Sequence, residues 1–319
     1  MPPKSPSWLR TGRCRCSPLT TTCAPNQTRA NDAFLTIPAS PPTGEVGRAA
    51  DAFLTIPASP PTREVGRIAR LCVLRLTPLH LAAYNGHDEA VAALVSAGAP
   101  LEAPAADHGG MTALHWACGQ GHTTTVAALL EAGAKVDATD VGSRTVLHFA
   151  AVRGHVEVLE KVVSAGAALE ALSSRNVSAL QMAAEKGHAA VVRSLATAGA
   201  DLNVQADAGK VSALHVAAAM GHLEATKALL EAGATTEIYD SLHRTPLHMA
   251  AARGHAEVIE ALCLAGAAIE SRDAHGHAPR RVAARAGHRQ AVAALRAAGA
   301  EPNWAVSRWI KRVRKRVGR

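Results

Sequence analysis

One phrase returns seven times along this 319-residue chain, and its period constrains the fold more than any other feature. The copies are TPLHLAAYNGH (77–87), TALHWACGQGH (112–122), TVLHFAAVRGH (145–155), SALQMAAEKGH (178–188), SALHVAAAMGH (212–222), TPLHMAAARGH (245–255) and APRRVAARAGH (278–288). Successive starts lie 35, 33, 33, 34, 33 and 33 residues apart. A fixed period of this length means stacked copies of one small unit, because no single unit can bury its apolar face alone.

Each unit reads as two short helices. The opening Thr or Ser is a helix N-cap whose hydroxyl accepts a free backbone N–H. Pro78 and Pro246 fit the first turn, where no N–H is missed. The glycine closing each phrase supplies the left-handed conformation that ends a helix. A second helix then carries apolar residues at i, i+3 and i+4, such as Val91, Leu94 and Val95, or Val158, Leu159, Val162 and Val163. A Gly-Ala pair stops it. A polar turn follows, with Asp107, Asp140, Asp207, Asp240 or Asp273.

This pattern resembles the ankyrin repeat, whose period is about 33 residues with a T-P-L-H-x-A core. The resemblance covers residues 77–300. It implies an all-α solenoid of helix–turn–helix units joined by hairpin-like turns, with histidines that hydrogen-bond between units. Seven repeats, starting near 77, 112, 145, 178, 212, 245 and 278, are expected to fill 77–303. Two extra residues fall in 100–110 and one in 201–210, both in turns, where insertion is tolerated. In the seventh unit Arg280-Arg281 replaces Leu-His, which reads as a polar cap facing water.

The flanks differ from the repeats. Residues 1–76 hold eleven of the seventeen prolines and are expected to form a disordered leader. Within it, DAFLTIPASPPTGEVGR (32–48) recurs as DAFLTIPASPPTREVGR (51–67), changed only at Gly44 against Arg63. Its period is 19, so it belongs to no solenoid and reads as a tandem duplication. Residues 63–76 either cap the open face of the first unit or mark the loss of earlier units. Residues 1–31 lack Asp and Glu, as organelle transit peptides do, but five prolines and no amphipathic stripe argue against that reading. In residues 304–319, Val306, Trp309, Ile310, Val313 and Val317 fall at helical spacing, with Lys311, Arg312, Arg314, Lys315 and Arg316 between them. Four readings of this basic amphipathic tail stand: a capping helix, a segment for an import receptor, contact with an anionic membrane, or a calmodulin-type target.

Charge is unevenly placed. Residues 1–76 carry a net +6, residues 77–270 a net −9 and residues 271–319 a net +11. The six cysteines are dispersed and read as unpaired thiols. Twelve of the sixteen histidines recur at fixed repeat positions and so serve the repeat; His108, His243, His275 and His277 lie in turns. The chain carries no phosphate-binding loop, nucleophile elbow, dinucleotide fingerprint or zinc-protease motif. No apolar run reaches the roughly 18 residues that span a bilayer. The expectation is a non-enzymatic, monomeric chain, without metal or cofactor, inside the cell in cytoplasm or nucleus.

Solenoids bind along extended surfaces. The resemblance places partner contacts on the turn tips and first helices, the concave side. Arg144, Arg175, Lys210, His243 and Arg244 map to tips, and Tyr84, Asn85, Gln120, Arg153, Lys186, Met220 and Arg253 to helix ends. Acids gather instead on second helices: Asp88, Glu89, Glu131, Glu157, Glu160, Glu224, Glu231, Glu257 and Glu260. The expected function is a scaffold or adaptor whose basic groove takes an acidic or phosphorylated segment of a protein partner. Two alternatives stand beside it. One is a detached regulatory part of a larger channel, kinase or ubiquitin-ligase subunit. The other is membrane or nucleic-acid binding through the tail.

Overall fold

A computed structural model describes residues 76–205 and 209–300, all within the unit Pro42–Arg319. The leader, the basic tail and, but for Leu76, the 63–76 cap fall outside the described residues, as does Asp207.

Fourteen α-helices follow in seven pairs among the described residues: α1 (Pro78–Asn85) and α2 (Asp88–Ser96), α3 (Ala113–Gln120) and α4 (Thr123–Glu131), α5 (Val146–Arg153) and α6 (Val156–Ser164), α7 (Ala179–Lys186) and α8 (Ala189–Thr197), α9 (Ala213–Met220) and α10 (Leu223–Glu231), α11 (Pro246–Arg253) and α12 (Ala256–Leu264), α13 (Pro279–Ala286) and α14 (Arg289–Ala300). A short 3₁₀ helix, Ala106–His108, occupies the longer first turn. Among the described residues, isolated antiparallel bridges, Ala105 to Met111, Thr139 to Thr145 and Leu172 to Ser178, mark the hairpin-like turns.

First helices stack on first helices and second on second, so each repeat position becomes a column. Leu79, Leu114, Leu147, Leu180, Leu214 and Leu247 form one, each at most 3% exposed. Val91, Val126, Leu159, Val192, Thr226 and Ile259 form another on the second helices, all fully buried. Burying each such leucine contributes about 1.5–3 kcal/mol. Thr226 fits among the apolar residues because its hydroxyl donates to the His222 carbonyl at 2.9 Å.

Two sets of histidines tie the units together. In the first, the imidazole both caps its own helix and reaches the next unit. His148 Nδ1 accepts the Thr145 N–H at 3.1 Å, which places the ring proton on Nε2. That Nε2–H donates to the Val177 carbonyl at 3.2 Å, ahead of the next unit. His80, His115, His215 and His248 repeat the arrangement toward the carbonyls of Met111, Arg144, Arg244 and His277. In the fourth unit Gln181 does the same: its Oε1 accepts the Ser178 N–H and its amide donates to the Val211 carbonyl.

The second set reaches backward. Gly154, in the left-handed conformation at φ +81°, ends α5, and the ring of His188 from the next unit lies flush on it. A Cβ at Gly154 would stand 2.7 Å from His188 Nδ1. His188 Nε2 donates to the Val152 carbonyl at 2.9 Å. The same ring-on-glycine contact joins every described pair of neighbouring units, from His122 on Gly86 to His288 on Gly254. At Gly287, with no unit above it among the described residues, nothing lies within 4 Å.

The opposite edge has its own ladder. Glu102, Asp137, Glu170, Asn203 and Glu237 each accept a backbone N–H from the next unit, those of Lys135, Ala168, Asp201, Thr235 and Ala268, at 2.7–3.0 Å. Part of the acidity of residues 77–270 is therefore spent on joining units.

The seventh unit departs as its sequence predicts. Arg280 and Arg281 are exposed where interior units bury Leu and His. Ala278 gives α13 no side-chain cap, unlike the Thr or Ser that caps the other six first helices.

Candidate protein-binding surface

The first helices and turn tips present one continuous surface, because the tips are joined by backbone bonds. Val141 N–H donates to the Gly109 carbonyl, Ser174 to Gly142, Ser241 to Gly209 and Ala274 to Leu242, at 2.7–3.0 Å. At the same place in each turn the backbone takes a positive φ, on Ser143, Asn176, Lys210 and His243 as well as on Gly276. A non-glycine there carries a local strain of the order of 1 kcal/mol or more.

The sequence-predicted tip residues differ in exposure. Arg175, Lys210 and His243 are exposed. Arg144 and Arg244 are already matched. Arg144 Nε and Nη2 lie 2.8 and 2.6 Å from Asp140 Oδ2, and its own N–H donates to Oδ1 at 2.8 Å. Arg244 holds Asp240 in the same way, at 2.7 Å. Both aspartates are buried, so these pairs fix the turn and bring little net charge to a partner. Asp273 closes its turn by accepting from the N–H groups of His275 and His277 at 2.9 and 2.8 Å. Ser173 takes the aspartate's place in the third turn, its Oγ accepting the Val177 N–H. Asp107, in contrast, lies exposed on the 3₁₀ helix.

At the helix ends, Arg153, Lys186 and Arg253 are exposed in the last turns of α5, α7 and α11. Lys186 shares its charge with Glu185 at 3.1 Å. Met220 is 41% exposed at the end of α9. Tyr84, Asn85 and Gln120 are half-buried, and the Asn85 amide turns back to the Leu81 carbonyl.

Sequence reasoning missed an aromatic cluster beside these residues. Trp116 meets the Tyr84 ring edge-on at 5.4 Å and the His108 ring at 5.3 Å. Phe149 meets His115 at 5.3 Å, and the Arg144 guanidinium sits 4.7 Å above its ring. Trp116 is 8% exposed and Phe149 half-buried. The available signal was register: Trp116 and Phe149 fill the same repeat position in a chain with only nine aromatic residues. The extra residues of the first turn contribute His108 to this cluster.

The buried thiols of Cys118 and Cys263 are unpaired. Burial raises both, Cys263 to about 11, so neither is a ready nucleophile. Among the described residues, no group of three or more His, Cys, Asp or Glu side chains is placed to share an ion, and no helix is long and apolar enough to cross a membrane.

Comparison with known proteins agrees with this geometry. The sequence pattern described as Ankyrin repeats (3 copies) matches residues 64–140 and 214–304, and that of Ankyrin repeats (many copies) matches 180–230. No curated protein matches the chain. Among solved structures, the human ASB11 ankyrin repeat domain is 28% identical with a TM-score of 0.63, over 71% of this chain and 100% of that one. The ankyrin repeat domain of Bcl-3, a member of the IkappaB protein family, is 27% identical with a TM-score of 0.61, over 69% and 98%. The chain belongs to the ankyrin repeat family, whose members generally mediate protein–protein interaction and are typically non-enzymatic.

Proposed function

We propose that the chain is a non-enzymatic scaffold that binds a segment of a protein partner along the concave surface of first helices and turn tips. The observation that carries this reading is the line of exposed side chains on that surface. Arg153, Lys186 and Arg253 stand at helix ends, with Arg175, Lys210 and His243 at the tips. Lys210 and His243 hold a backbone conformation that glycine would adopt more easily, so the strain is retained along with their side chains.

An acidic or phosphorylated segment suits this line, since guanidinium and ammonium groups bind carboxylate and phosphate in charge-assisted hydrogen bonds. The half-buried rings of Tyr84 and Phe149 offer apolar contact beside it. Because Arg144, Arg244 and part of Lys186 are matched internally, the attraction rests on Arg153, Arg253 and the exposed Lys210.

The test is quantitative affinity capture from cell lysate with the full chain and with Arg153→Glu, Lys186→Glu and Arg253→Glu combined. A partner bound in the groove is recovered at least tenfold less with the reversed chain. Equal recovery of every captured protein overturns the groove reading.

A further inference from the structure

We propose that the seventh unit presents a binding face for duplex nucleic acid, engaged through backbone phosphates without sequence preference. Residues 278–300 carry five arginines, Arg280, Arg281, Arg285, Arg289 and Arg296, and no Asp or Glu. All five are exposed. None forms an ion pair among the described residues, and the one polar side-chain contact is Arg285 Nη1 at 3.4 Å from His277 Nε2.

A terminal unit needs only polarity to face water, and mixed charges give that without self-repulsion. Here the sign is single, and it reverses the net −9 of residues 77–270. Three of the five stand where interior units face a successor. Arg280 replaces the buried leucine, Arg281 the bridging histidine, and Arg296 the apolar residue seen as Leu130, Val163, Leu230 or Cys263. The face is thus cationic where the repeat pattern calls for apolar contact.

Chemistry selects the partner. A guanidinium fork matches phosphate oxygens in a bidentate geometry. At 1.5 Å per residue, Arg281 and Arg285 lie about 6 Å apart along one side of α13, and Arg289 and Arg296 about 10.5 Å apart along one side of α14. A duplex presents one negative charge for about every 1.7 Å of its axis, so a face of this length meets several phosphates. The unit has no aromatic residue on which single-stranded bases could stack. Its apolar side chains Val282, Val292 and Leu295 are half-buried or buried, which leaves nothing to insert into a bilayer.

The experiment is fluorescence anisotropy of the full chain with labelled 20-base-pair duplexes of two unrelated sequences, between 50 and 200 mM salt. Three variants are compared with the wild type: all five arginines to Gln, all five to Lys, and the tail residues Lys311, Arg312, Arg314, Lys315 and Arg316 to Gln. Circular dichroism checks the fold, and the double variant Arg289→Gln/Arg296→Gln replaces the fivefold one if that unfolds. The expected result is equal affinity for both sequences. Neutralising the five arginines lowers it at least tenfold at 50 mM salt. It also flattens the plot of log affinity against log salt by about 2–4 units, or about 1–2 for the double variant. The Lys variant keeps most of the slope. Unchanged affinity and slope in the Gln variant overturn the proposal. So does a loss confined to the tail variant, or binding to phosphatidylserine vesicles with none to duplex.

Discussion

The third and seventh units share a backbone and differ in what lies above them. Leu147 and His148 are buried under the fourth unit, and the His148 Nε2–H donates to the Val177 carbonyl just ahead of it. Arg280 and Arg281 hold the same two positions in the seventh and face solvent. The helix begins at the same place in both, although Thr145 caps one and Ala278 gives the other no cap. Helix position is therefore set by glycine spacing and by stacking on the preceding unit. Residue identity on the upper face is set by the successor, and where none is described the constraint is lifted.

The largest test of this contrast moves the terminal residue inward. Leu147→Arg buries an unpaired guanidinium in the central column, and the chain is expected to lose about 5 kcal/mol or more. Leucine truncation alone costs about 2–5 kcal/mol, and an uncompensated charge adds to that. Urea unfolding followed by circular dichroism should show the transition splitting as the stack is interrupted. An unchanged midpoint would mean that the columns do not carry stability.

Acid separates the units next. Burial holds His80, His115, His148 and His248 below the ordinary imidazole value, and His148 falls to about 4. Because the folded value lies below the unfolded one, the unfolded chain binds more protons in between. The stability is fully present above about pH 6.5 and is lost as pH falls toward 4. His148 alone accounts for about 3 kcal/mol at the acid end. Thermal melts from pH 7.5 to 4.5 should show this decline, and His148→Gln should reduce it, since Gln181 makes the same two bonds without titrating. A flat pH profile in the wild type would sink the account.

Smaller effects come from glycine. Gly154→Ala and Gly287→Ala both force a side chain into positive φ, which costs about 1–2 kcal/mol. Only the first also meets a histidine ring, so it should destabilise by about 1–2 kcal/mol more, measured as a difference in urea midpoint. Equal effects at the two sites would show that the ring contact adds nothing.

Smallest of all is the reverse exchange. Arg280→Leu with Arg281→His should leave stability within about 0.5 kcal/mol, because surface changes usually do. The signature is weak self-association in sedimentation velocity, as an apolar face is exposed. A large stability change would mean that something covers this face.

Much of the architecture could be read from the 33-residue spacing, because each unit repeats its cap, its glycine and its apolar columns. The binding surface was readable only as positions. Arg144 and Arg244 counted as available bases because an arginine four residues after an aspartate signals a pair on a helix, not in a turn. The ladder from Glu102 to Lys135 and onward spans 31–33 residues, a separation that means nothing until the units are stacked. The aromatic cluster joins residues from three units and an inserted turn, each unremarked within its own segment.

The ring-on-glycine contact bears on how such a chain changes over generations. Every described junction is made by the same two residue types in the same register, so any of the first six units can lie beneath another. Removing residues 145–177 would bring His188 down onto Gly121 in place of Gly154, and the seam would close with familiar parts. Excision or copying of whole periods can thus alter the length of the array while inventing no new junction. A loss of 30 residues would leave a ring with no glycine beneath it.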